Sequence, residues 1–80
     1  MTMKKQMKPI YYMMETSNAN SFRKAEPLKA QNLTAAKREA SRKAAFCGTV
    51  LTIGTELNDE GFLVPSGNVA IKSLGIWYDV

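Results

Sequence analysis

Histidine is absent from this 80-residue chain, and cysteine occurs once, at Cys47. Without histidine the commonest general base is missing, and a metal would have only scattered carboxylates to bind. A single cysteine excludes an intrachain disulfide framework and a structural zinc site, and it fits a reducing compartment. Cys47 is expected to follow a helix C-terminus, where the dipole opposes thiolate formation, and so to be a small buried hydrophobe. Long apolar runs are lacking too. Ile10 to Met14 falls far short of a signal-peptide core and of the roughly 20 residues that cross a membrane. No glycine-rich phosphate loop is present, since Gly48 and Gly54 flank Thr49-Val50-Leu51-Thr52-Ile53, a β-branched run. Asp59 and Glu60 read as solvated turn acids. No catalytic residue, cofactor site or metal-ligand set emerges, and the chain is read as a non-enzyme.

Acidic residues are scarce in the first part of the chain. Residues 1–46 hold ten lysines and arginines against Glu15, Glu26 and Glu39, a net of +7. Residues 47–80 hold Lys72 alone against Glu56, Asp59, Glu60 and Asp79, a net of −3. Such a split points to one face that meets something anionic and says nothing about fold.

Length allows one domain over 1–80 with a modest core, whose stability is about 3–5 kcal/mol if nothing else supports it. Residues 1–7 read as a flexible lead-in. Lys8 to Thr16 reads as a first strand, with Pro9 at its entry. Residues 17–31 have the composition of a long basic loop. Leu33 to Phe46 is rich in Ala, Lys, Arg and Glu and predicts a helix, with Asn32 or Thr34 as N-cap and Gly48 as a stop. Leu33, Ala36, Ala40, Ala44 and Cys47 form its apolar stripe, and Glu39 and Lys43 form an i,i+4 pair. The period then changes to two. Thr49 to Ile53 is a strand, Asn58 to Gly61 a turn, Phe62 to Val64 a short strand, and Val69–Lys72 pairs with Ile76–Asp79 across Ser73-Leu74-Gly75. The expectation is an α+β fold: an antiparallel sheet of three to five strands, order β-α-β-β-β, with the helix (about 33–46) packed across one face.

Two sets of residues are candidates for contact. Trp77 and Tyr78 are consecutive on a strand and face opposite ways, so one of them is expected outside the core as a partner-binding residue. Lys37, Arg38, Arg42 and Lys43 on the helix, with Arg23 and Lys24 before it, could meet nucleic-acid phosphates; Arg38 and Arg42 are one turn apart. A solvated helix face explains the same charges equally well.

The segment LTAAKREASRKAAFCGTVLTI (33–53), with the closing Gly75-Ile76-Trp77-Tyr78-Asp79-Val80, resembles small accessory, host-interaction proteins of tailed bacteriophages and mobile elements. The resemblance covers about half of the chain and carries no catalytic motif. It implies a bacterial cytoplasmic setting and stoichiometric binding to a host macromolecule. The leading expectation is therefore a modulator or inhibitor of a host protein, such as a nucleic-acid enzyme or defence factor. The alternative is a nucleic-acid-binding module that uses the basic helix. No membrane partner is expected, and the charge split permits self-association.

Overall fold

The computed structural model describes residues 9–16, 24–44 and 50–80. The lead-in 1–7, Lys8, Arg23, Phe46, Cys47, Gly48 and the first part of the expected loop, 17–23, lie outside the described residues. The elements are β1 (Tyr12–Thr16), β2 (Glu26–Pro27), α1 (Leu33–Lys43), β3 (Val50–Gly54), a 3-10 turn (Pro65–Gly67), β4 (Asn68–Ser73) and β5 (Ile76–Asp79). All strand pairs are antiparallel in one sheet of order β2-β1-β3-β4-β5. This is the expected α+β class, with a helix laid on the sheet and β1 inserted between its neighbours.

Helix α1 starts where the sequence signals it. Asn32 is extended, and its side-chain oxygen accepts the Ala35 N–H at 2.9 Å, satisfying a free donor of the first turn. Ala44 is already extended (ψ 131), so the helix ends at Lys43, three residues short of the sequence expectation. Arg42 and Lys43 in the last turn complement the negative end of the dipole. Ala36 and Ala40 are fully buried, and Leu33 and Ala44 pack beside them. Small residues on this stripe let the backbone lie close over Met13, Leu51, Ile53 and Ala70 of the sheet.

The described end of the expected loop is ordered. Glu26 and Pro27 pair with Met13 and Tyr12, and the Leu28 N–H donates to the Tyr11 carbonyl at 2.9 Å. Leu28 is among the most buried side chains, at 2 % exposure. The element order thus becomes β-β-α-β-β-β. Pro27 disguised this strand, because proline removes a ladder donor; at a sheet edge that loss is tolerated. Phe62 to Val64 forms no full strand. Leu63 makes an isolated bridge with Leu57, and the turn between them is closed by the Asn58 side chain, which accepts from Glu60 and Phe62 N–H.

Hairpin β4–β5 closes more tightly than expected. Ser73 pairs with Ile76, leaving a two-residue loop, Leu74-Gly75, with φ of 54° and 81°. Positive φ at both central residues is the type I′ form, whose twist matches that of the flanking strands.

Candidate functional site

Alternation along the strands assigns every side chain of the hairpin to a face. On the helix side the register aligns Leu51 with Lys72 and Lys72 with Trp77, and Ala70 with Asp79. On the other side it aligns Met14, Thr52, Ile71 and Tyr78 in one cross-strand row, with Ile76 beside it. Trp77 therefore turns toward α1 and packs against the core, while Tyr78 points away.

Between α1 and β5 lies a shallow open groove of about 370 Å³, lined by Lys37, Arg38, Ser41, Arg42 and Trp77. Two contact sets that are forty residues apart in the sequence meet here. Helix spacing explains the cationic wall: Lys37 and Ser41 are one turn apart, as are Arg38 and Arg42, and the two pairs are adjacent on the cylinder. The floor is the part of Trp77 not packed on the core. Lys72, across the ladder from Trp77, holds its ammonium 5.9 Å from the ring centroid and donates to Ser41 Oγ at 3.1 Å. Lys37 Nζ donates to Asp79 Oδ1 at 2.8 Å, which ties the helix to the edge strand and partly neutralises one cation. The pair is exposed, so it contributes about 0–1 kcal/mol. Arg38 and Arg42, both exposed, carry the groove's remaining positive field.

The other basic candidates stand apart from this groove. Lys43 approaches Glu39 at 3.7 Å, and Lys24 lies with Met13, Glu15 and Glu26 in a small cleft at the β2–β1 end of the sheet, away from β5. Glu39, read from the sequence only as the partner of Lys43, has a larger part. Its Oε1 accepts the N–H groups of Lys29 (2.9 Å) and Ala30 (3.0 Å), and Oε2 accepts from Lys29 at 3.0 Å. Burial favours the neutral acid, yet these main-chain donors and the Lys43 ammonium outweigh it and hold the carboxyl below its ordinary value. The result anchors the chain entering α1 and so fixes the helix that presents the cations. The sequence signal for this was the acid's place, three residues after Ala36, flanking the apolar stripe on the helix.

Among the described residues no cluster of three or more metal-ligating side chains occurs, and no helix is long and apolar enough to cross a membrane. No protein-family model matches the chain, and no curated protein matches it significantly.

Proposed function

We propose that the chain is a small binding module that engages single-stranded nucleic acid stoichiometrically in the groove beside Trp77. Arg38 and Arg42 meet successive phosphates, and an unstacked base lies on the accessible part of the indole. The observation that supports this reading is the convergence of Lys37, Arg38, Arg42 and Trp77 on one open groove. Cations beside an aromatic floor suit a backbone that alternates phosphates with π-faces, and an open channel suits a chain that passes through. In this reading the module performs no chemistry of its own, and a bacterial cytoplasmic setting fits the resemblance of 33–53 to phage accessory proteins.

Trp77 is the only tryptophan, so the protein carries its own reporter. Titration with an oligodeoxythymidylate should quench its fluorescence, and log K should fall with log salt by about 0.7 for each phosphate contacted. Arg38→Glu combined with Arg42→Glu should abolish binding with the fold intact. Affinity that ignores salt, or binding that leaves the indole signal unchanged, would overturn the assignment.

A modulator of a host protein is the second reading, favoured by the exposed Tyr78 on the outer strand. A tagged pulldown from bacterial lysate with and without nuclease separates the two. A discrete protein retained after nuclease favours the modulator; co-purification that depends on nucleic acid favours the groove.

A further inference from the structure

The two edges of the sheet differ in how they are protected. Strand β2 is two residues long, contains Pro27, and is bridged to a neighbouring loop by the Ala25 N–H donating to the Gly61 carbonyl at 2.9 Å. These are the usual devices that keep an edge from pairing with another chain. Strand β5 has none of them. It contains no proline, lysine or bulge, and its one charge, Asp79, is held by Lys37. Its outward face carries Ile76, Tyr78 and Val80, at 55, 53 and 70 % exposure.

We infer that β5 is the joint for a second copy of this chain, paired antiparallel about a two-fold axis at Tyr78 to give a continuous ten-stranded sheet. The ladder dictates the register. Ser73–Ile76 closes the hairpin, and the Val80 N–H donates to the Val69 carbonyl at 3.1 Å, so Ile76, Tyr78 and Val80 spend their main-chain groups on β4. Trp77 and Asp79 aim theirs at the free edge. Only a register that pairs Trp77 with Asp79 of the other copy uses all of these groups, with four inter-copy hydrogen bonds. The same register sets Tyr78 against Tyr78 and Ile76 against Val80 on the apolar face, where such cross-strand pairs stabilise sheets.

Charge decides the occupant. On the helix side this register brings the Asp79 carboxylate of one copy beside Trp77 of the other, at the open side of a groove lined by Lys37, Arg38 and Arg42. Because the operation is two-fold, each copy gives one acid and receives one. Shifting the register by two residues would instead oppose Asp79 to Asp79 or Trp77 to Trp77, losing the charge match or hydrogen bonds. The joint is short, so association is concentration-dependent, with a dissociation constant of roughly 1–100 μM. The association is read on the purified chain without nucleic acid.

The test is sedimentation of the purified full chain, which should shift from 8.9 kDa toward twice that mass as concentration rises. Tyr78→Lys sets two ammonium groups against each other on the axis and should leave a monomer that melts as the wild type does at concentrations too low for association. In a Cys47→Ser background, Tyr78→Cys should form an interchain disulfide, because its Cα would lie about 4.5 Å from its counterpart. Ile76→Cys should not, since its two copies would be about 13 Å apart. A wild-type monomer up to about 1 mM, or crosslinking of Ile76→Cys as readily as Tyr78→Cys, would overturn the inference.

Discussion

Trp77 and Tyr78 are neighbours in the chain and lie on opposite faces of the sheet: Trp77 faces α1 across from Lys72, and Tyr78 faces outward across from Ile71. Their substitutions should therefore have different effects. Trp77→Ala removes the groove floor and a partly buried aromatic, so it should weaken oligonucleotide binding and cost about 2–3 kcal/mol of stability. Tyr78→Ala should leave oligonucleotide affinity within about threefold and stability within about 0.5 kcal/mol, while reducing self-association. Measuring binding and thermal unfolding on both variants checks this. Equal loss of oligonucleotide binding in the two would show that the groove is not the site.

Leu74 adopts φ 54° while its side chain is 94 % exposed. A leucine there has the steric cost of left-handed backbone and gains no packing in return. Leu74→Asn, giving the Asn-Gly pair favoured in type I′ turns, should stabilise the fold by about 1 kcal/mol. The check is the denaturation midpoint at unchanged slope. A lower midpoint would mean that Leu74 makes contacts this geometry does not contain.

At Gly54 a side chain has no room. A Cβ built there would lie 2.9 Å from Leu63 Cδ2 and 2.9 Å from Asn68 Oδ1, which is buried without a hydrogen-bond partner among the described residues. Gly54→Ala should cost about 1–3 kcal/mol by forcing the 56–64 turn away from the sheet. Hydrogen exchange should show the Val64 and Asn58 amides losing protection first. A variant as stable as wild type would show that Leu63 can move at little cost.

Much of this architecture is legible from local pattern. The change from a 3.6 to a 2-residue period marks α1 and the strands after it, and the Ala36/Ala40 stripe identifies the face that packs. What is not legible depends on distant partners. Pro27 hides β2, because only its position at a sheet edge makes it acceptable. The meeting of Arg38 and Arg42 with Trp77 depends on sheet order, which places β5 at the sheet edge beside the helix. Glu39 looked like one half of a surface pair, because the N–H groups of Lys29 and Ala30 that it binds belong to a segment with no helical or strand signature.

Glu39 gives the fold its clearest pH dependence. Its carboxyl, ordinarily near 4.5, is held lower in the folded chain by the Lys29 and Ala30 N–H groups and by Lys43. A depressed folded value means that the unfolded chain takes up the proton first. The stabilisation is thus complete above about pH 5.5 and is lost as pH falls through 4.5 toward the folded value. Glu39→Gln keeps the shape and one acceptor oxygen while removing the charge. At pH 7 it should cost about 1–2 kcal/mol, within the range for hydrogen bonds to a charged group. The gap between the variant and wild type should narrow steadily below pH 4.5 as the native carboxylate is neutralised. Melting curves of both proteins across pH 3–7 test this sign directly. A gap that stays constant through that window would mean the carboxylate's charge contributes nothing to anchoring the entry to α1.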